Sequence, residues 1–269
     1  MKRIIYIILL IIILTLLYGV YFDTKGINVN EYSIESKNIP KSFNELKFVM
    51  ISDILYKSSY DLEDIEDMVK EINSLKPDIV FFNGDLLYKE YKTSKEENEE
   101  LTKLFNKIDA KMYKYAIIGD NDKKYLDTYK QILNDSNFIL LDDENKLLFY
   151  KDISPILIVG NNDPSKIDDL LNSEVEYSYS IVLTHKPDNF NIYKTKNIDL
   201  VLAGHSLNGQ VRIPFYGGLI KRGGSKEYID SYYDLNNTLM IVSNGMGTIK
   251  YNIRLFNRPS INLIRFNTL

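Results

Sequence analysis

Cysteine and tryptophan are absent from the 269-residue sequence, and histidine occurs only twice. Without cysteine there can be no disulfide, thiolate metal ligand, cysteine nucleophile or lipoprotein attachment point. This absence suits either side of a membrane and fixes no redox compartment. A basic excess is missing as well: 33 Lys and Arg stand against 37 Asp and Glu, for a formal charge of -4. The broad positive face that nucleic-acid binding needs is therefore lacking, and no nucleic-acid partner is expected. Internal repeats and low-complexity tracts are also absent, and 45% hydrophobic with 26% charged residues is an ordinary globular balance. The length suits one sizeable α/β domain or two small ones. No internal shift in composition marks a boundary, which favours one.

What is concentrated in the sequence is an apolar N-terminus. Residues 4–22 form an uncharged run dominated by Ile, Leu and Tyr, preceded by Lys2 and Arg3. As a helix the run would span roughly 28 Å at about 1.5 Å per residue, close to the hydrocarbon core of a bilayer. It has no polar face, which a helix covering a soluble core would show. It ends Leu16-Leu17-Tyr18-Gly19-Val20-Tyr21, without the small-residue pattern of a cleavage site. It therefore reads as an uncleaved anchor, a cleaved signal being the alternative. Lys2 and Arg3 hold the N-terminus in the cytoplasm, an asymmetry that Lys25 dilutes. The expected organisation is an anchor over 1–22, a linker over 23–46 and a domain over 47–269. That describes a single-pass protein of the cell membrane with an extracytoplasmic C-terminal domain.

From residue 47 the pattern alternates. KFVMI at 47–51 is a compact apolar run. Leu62, Ile65, Met68, Val69, Ile72 and Leu75 then recur at helical spacing behind Asp61, a capping residue, and Pro77 closes the helix. Residues 79–82 predict the next strand, Leu101, Leu104, Phe105 and Ile108 a second helix, and residues 115–118 a third strand. Such β-α-β-α-β units with near-continuous apolar strands read as a sheet covered on both faces. The second half is richer in strands: 147–150 and 156–159 as a hairpin, then 179–184, 200–203, 239–243 and 261–266.

Asp53, Asp85, Asp120, His185 and His205 each follow one of these apolar runs by one to three residues. Ligand sites in α/β sheets lie at the carboxyl ends of strands, where the loops converge. A single Asp or His in such a place is an ordinary turn or loop residue. Five of them, including both histidines of the chain, point to a divalent cation such as Mn, Fe or Zn.

These segments resemble the motifs of the calcineurin-like metallophosphoesterases. Ile51-Ser52-Asp53-Ile54-Leu55 is similar to the D-x-H opening motif, and Gly84-Asp85-Leu86-Leu87-Tyr88 to G-D-x-x-D. Gly119-Asp120-Asn121-Asp122 stands where the family has G-N-H-D, and His185 in Leu-Thr-His-Lys-Pro-Asp where it has an isolated histidine. Gly204-His205-Ser206-Leu207-Asn208-Gly209-Gln210 is similar to G-H-T-H-G-G-Q, and Ser243-Asn244-Gly245-Met246-Gly247 to the closing glycine-rich segment. Arg254-Leu255-Phe256-Asn257-Arg258-Pro259 resembles the tail of membrane-anchored and exported bacterial members. The resemblance implies an α/β fold: a two-sheet β-sandwich flanked by helices, here preceded by one transmembrane helix. It also implies a two-cation centre that hydrolyses phosphoric esters.

The departures are as informative. Carried over, one half-site comprises Asp85, Asp120, His185 and His205, all capable ligands. The other comprises Asp53, Leu55, Asp85 and Leu207, and leucine has no lone pair to give. Asn121 replaces the family's histidine, whose proton an amide cannot supply, and Tyr88 replaces the second Asp of G-D-x-x-D. Lys57, Lys123 and Lys186 lie in the same loops and read as solvated surface. The expectation is one bound divalent cation, a lost second site, no assignable catalytic residue, and a weak or non-catalytic protein. Its ligand would be a phosphorylated small molecule or lipid. The competing reading is an active mononuclear phosphoesterase acting on a phosphorylated envelope or lipid-linked substrate.

Overall fold

A computed structural model of the chain describes residues 2–92 and 94–269. Helix α1 (Lys2–Tyr21) carries its large apolar side chains exposed on every side. Water disfavours such a surface, whereas a bilayer accepts it, and 20 residues reach about 30 Å. The C-terminal end of α1 is tied to the rest of the molecule. Arg254 N–H donates to the Gly19 carbonyl at 3.0 Å, and a Cβ on Gly19 would lie 2.7 Å from the Arg254 carbonyl oxygen. Asp23 accepts from Phe256 N–H at 2.6 Å and pairs with Arg258 Nε at 3.3 Å.

The stretch expected as a linker contains β1 (Asn28–Ser36), which pairs in parallel with β14 (Ser260–Thr268) over its full length. The sheet therefore begins before residue 47. β2 (Lys47–Ile51) leads to α2 (Leu62–Leu75), whose start carries the expected Asp61 cap. The Asp61 side chain accepts from Glu63 N–H at 2.9 Å and Asp64 N–H at 3.1 Å, satisfying amides that the first helical turn leaves unpaired. β3 (Ile79–Phe82), α3 (Lys95–Asn106), β4 (Tyr113–Ala116), α4 (Leu126–Asp135) and β5 (Ile139–Leu140) continue the alternation. β4 starts two residues earlier than the apolar run suggests.

The hairpin of β6 (Glu144–Leu148) and β7 (Ile156–Gly160) opens the second sheet. It continues through α5 (Ile167–Leu171), β8 (Tyr179–Thr184), α6 (Phe190–Tyr193) and β9 (Leu200–Ala203). A small hairpin, β10 (Arg212–Ile213) with β11 (Gly217–Gly218), precedes β12 (Tyr232–Leu235) and β13 (Thr238–Val242). The strand orders are β1-β14-β2-β3-β4-β5 and β12-β13-β9-β8-β7-β6.

Alternation along the strands divides the core. Phe48 and Met50 of β2 meet Tyr179, Ile181 and Leu183 of β8 in the cluster between the sheets. Val49 and Ile51 face α2 and α3, and Val182 faces the helices of the second sheet. Successive side chains on a strand point to opposite faces, so fully apolar strands yield four layers, α/β/β/α. The carboxyl ends of β2, β3, β4, β8, β9 and β13 are thereby brought to one end of the sandwich.

Candidate metal centre

The loops at that end hold an uncommon backbone geometry. Asp53, Leu55, Asp85, His205 and Leu207 have φ of 51°, 51°, 59°, 64° and 50°. Residues other than glycine rarely occupy this left-handed region, and a bulky leucine seldom does, so the surrounding structure must impose it. Hydrogen bonds between loops do so: Asp53 N–H donates to the Gly84 carbonyl at 2.9 Å, and Leu55 N–H to the Asp85 carbonyl at 3.0 Å. Gly84 and Gly119 pack back to back, where a Cβ on Gly119 would lie 2.1 Å from the Asp85 nitrogen. Buried Asp122 clasps the same loops, accepting from Asp85 N–H at 2.7 Å, Gly119 N–H at 3.0 Å and Leu87 N–H at 3.2 Å. Burial, then the neighbouring Asp85 charge, pushes its carboxyl up to about 7.

Both histidines have one ring nitrogen committed. His185 Nδ1 lies 2.7 Å from the Asn83 carbonyl and His205 Nε2 lies 2.8 Å from the Gly223 carbonyl. A carbonyl only accepts, so these nitrogens carry the protons. The opposite nitrogens, His185 Nε2 and His205 Nδ1, then face each other 3.2 Å apart, and Asp85 Oδ2 lies 3.2 Å from His185 Nε2. These three atoms all lie within 4.8 Å of one another and are buried. Lone pairs so arranged require a positive charge between them, either a proton or a cation.

The electrostatics favour a single positive charge. Burial opposes charging of His185, but the Asp85 carboxylate outweighs it and raises the imidazole to about 9. Burial and then the charge on His185 push His205 down to about 3. Asp85 is held far below the usual carboxylate range: burial opposes this, and the charge and hydrogen bond of His185 overcome it. A divalent cation can replace that proton. In tetrahedral coordination at about 2.0–2.1 Å, neighbouring ligand atoms would stand about 3.3 Å apart, close to the two 3.2 Å separations that His185 Nε2 makes with His205 and Asp85. Backbone carbonyls that fix both histidine tautomers are the outer partners that metal-bound imidazoles need. The donor set fits a borderline divalent ion.

The other sequence-derived candidates lie around this trio. Asp120, one-third exposed, pairs with Lys186 at 2.9 Å and Lys123 at 3.2 Å. It borders His185 across a small cavity but is not among the three converging ligand atoms. Lys57, another expected surface charge, pairs with Glu97. Asn121 donates to Asp85 through its backbone at 2.8 Å and its side chain at 2.5 Å, so its amide is spent on a candidate ligand. Asp53 Oδ2 accepts from His205 N–H at 2.7 Å and from the Ser52 hydroxyl, while Oδ1 is buried without a hydrogen bond. Leu55 and Leu207 are buried against the glycine-rich segment after β13. A Cβ on Gly245 would lie 2.4 Å from Leu207 Cδ2 and 3.0 Å from Asp53 Cβ, and one on Gly247 would lie 2.8 Å from Leu55 Cβ.

Residues 46–209 match the family model of the calcineurin-like phosphoesterases. The chain belongs to that family. It is 28% identical over 256 residues to the uncharacterized metallophosphoesterase YkuE of Bacillus subtilis, a match spanning 91% of this chain and 87% of that protein. A Danio rerio transmembrane protein with a metallophosphoesterase domain is 22% identical, over 91% of this chain and 58% of its own length. Among solved structures, TT1561 of Thermus thermophilus is 14% identical over 76% of this chain and 91% of its own, with a TM-score of 0.48. The sequence reading gave no role to three residues at this family centre: Asn83, Asp122, which closes the third motif, and Arg222. Asn83 donates to the Leu202 carbonyl at 2.6 Å and the Thr184 carbonyl at 3.3 Å, tying one sheet to the other beneath His185. Its place immediately before Gly84-Asp85 was the available signal. Arg222 lies beyond the matched residues, and no motif announces it.

Proposed function

We propose that this protein holds one divalent cation, Mn, Fe or Zn, on Asp85, His185 and His205, and uses it to bind a phosphorylated ligand with weak or no hydrolysis. The observation that carries this reading is the mutual approach of three buried donor atoms whose tautomers are fixed from outside. When bound, the cation supplies charge for phosphoryl oxygens. Asp120 is the adjacent carboxylate that can join as a fourth donor on leaving Lys186. The centre is mononuclear in this reading, because Leu55 and Leu207 offer only packing. Hydrolysis is handicapped twice: Asn121 cannot transfer a proton, and its amide is already engaged by Asp85. General acid catalysis typically supplies a factor of about 10²–10⁴.

The same proposal makes α1 a membrane anchor, with the domain outside the cytoplasm. Its support is the apolar surface of α1 behind Lys2 and Arg3. The end of α1 is docked near the centre: Arg254, bonded to Gly19, donates through its guanidinium to the carbonyls of Gly245 at 3.0 Å and Gly247 at 2.6 Å. Phe256 shares one cavity wall with Tyr18 and another with the exposed hairpin tip, Phe215 and Tyr216. A centre at the membrane-proximal end favours a lipid-borne phosphoryl group. The decisive experiment is native mass spectrometry of the full-length protein titrated with Mn or Zn. One tightly held ion per chain is expected; none, or two, would defeat the reading. Protease added to intact cells should digest the domain, and full protection beside cleaved outer-surface controls would place it in the cytoplasm.

A further inference from the structure

Asp53 is a buried carboxyl whose hydrogen bonds reach only one of its two oxygens. Oδ2 is engaged by His205 N–H and Ser52, whereas Oδ1 is buried and accepts nothing. A buried carboxylate in that condition is strongly disfavoured unless a positive charge stands near. In a two-cation centre the second ion would supply it, but leucine at 55 and 207 takes away two of that ion's ligands. The positive group the fold does bring there is Arg222, with Nη1 3.8 Å from Asp53 Oδ1.

Arg222 is held in place rather than waving from the surface. Its side chain is only 18% exposed, and Nη1 donates to the His205 carbonyl. Its own carbonyl accepts from Ser225 N–H at 3.0 Å, and the next residue, Gly223, offers the carbonyl that fixes His205. Gly224 presses on the Lys186 stem, where a Cβ would lie 2.8 Å from Cδ. The 221–225 turn thus lies over the centre. Beneath the larger effect of burial, the Arg222 charge is felt at Asp53, Asp85 and His205. Among the described residues Nη1 makes the one side-chain hydrogen bond, so Nε and Nη2 are available.

We propose that the Arg222 guanidinium stands in for the lost second cation, neutralising Asp53 and offering Nε and Nη2 as a fork to the oxygens of a bound phosphoryl group. The inference rests on the one-cation reading above and assigns the second anchor of the ligand. A guanidinium suits the task, being planar, permanently charged and matched to two phosphoryl oxygens at once. It cannot generate a hydroxide as a metal ion does, which agrees with binding outweighing hydrolysis.

The test is a calorimetric titration of full-length protein with orthophosphate, with and without Mn, for the wild type, Arg222→Gln and Arg222→Lys. Arg222→Gln should weaken phosphate by roughly tenfold to a hundredfold while leaving one cation per chain, and Arg222→Lys should recover only part of the loss. Phosphate affinity in Arg222→Gln within about twofold of the wild type would overturn the proposal. A second measurement decides even if that variant folds poorly. Leu55→His with Leu207→His should still take only one Mn by native mass spectrometry while Arg222 is present. Two ions bound beside an intact Arg222 would sink the idea. A wild type that takes up no cation fails the one-cation reading separately, and the metal-free phosphate comparison still judges Arg222.

Discussion

The two halves of the centre share a backbone and differ in chemistry. Around Asp85, His185 and His205, donor atoms converge and their outer partners orient them. Around Asp53, the same left-handed loop geometry persists at Leu55 and Leu207, with nothing to ligate. At Leu55 and Leu207 that geometry stands beside side chains that cannot ligate an ion. Hydrogen bonds between loops and close glycine contacts set it, and the side chains decide afterwards whether a cation is held. In the reading proposed above, the Leu55 and Leu207 half serves as packing while the Asp85 half keeps its converging donors.

The largest contrast should appear on removing a donor from the intact half. His205→Ala should lower Mn or Zn affinity by at least about a hundredfold, since loss of an outer partner alone typically costs 10–100-fold. In the wild type, a cation at about 100 times its Kd should add about 2.7 kcal/mol of stability, visible as several degrees in Tm, and His205→Ala should lose that shift. Calorimetry and thermal melting check both. A His205→Ala protein that keeps wild-type cation affinity would show that the converging atoms are not a metal site.

The matching change in the other half should alter stability and leave binding alone. Leu207→Ala removes a buried side chain packed on Gly245 and should cost about 2–5 kcal/mol. Cation affinity, measured at a temperature where the variant is folded, should stay as in the wild type. A selective loss of cation affinity would mean that Leu207 supports the ligands more closely than its contacts indicate. A smaller effect is expected at the rim. Because Asp120 is one-third exposed and paired with two lysines, Asp120→Ala should weaken the cation by less than about tenfold. A hundredfold loss would establish it as a full ligand that leaves Lys186 on binding.

Legibility in the sequence followed the strength of each local signal. β2 and β3 were plain because every residue of FVMI and IVFF is apolar, as strands buried on both faces must be. α2 announced itself through Asp61 and its apolar spacing. β1 resembles linker in the sequence because NVNEYSIES has no continuous apolar run. It is an edge strand whose neighbour β14, more than 200 residues away, alone explains it. α4 carries a clear apolar face at Tyr129, Ile132 and Leu133, yet it begins directly from a 3₁₀ turn without a side-chain cap. At the centre, ligand-type residues were visible because they follow strands. Their outer partners were not, because the Asn83 and Gly223 contacts are made by carbonyls, which every residue owns. Arg222 was invisible for another reason: it reaches Asp53 across a loop closed by tertiary contacts, with no spacing to reveal it.

The smallest effect is spectroscopic and compares two ends of the sandwich rather than two halves of the centre. The chain has no tryptophan, so a single introduced one reports without background. Phe215, fully exposed at the β10–β11 tip, shares a cavity wall with Phe256, which lines a second cavity with Tyr18 of α1. Ile153, equally open to solvent, lies in the β6–β7 turn, before β7, at the opposite end of the strands. Exposed aromatic side chains beside a spanning helix settle at the interface, where their apolar bodies leave water. In vesicles containing lipids brominated along the acyl chain, Phe215→Trp should therefore be quenched and shifted to the blue. Ile153→Trp should behave as a water-exposed indole. Neither substitution touches the donor atoms, so cation binding should be the same in both. Equal, weak quenching at the two positions would lift the hairpin off the bilayer and leave α1 as the sole membrane contact, weakening the case for a lipid-borne ligand without touching the metal centre.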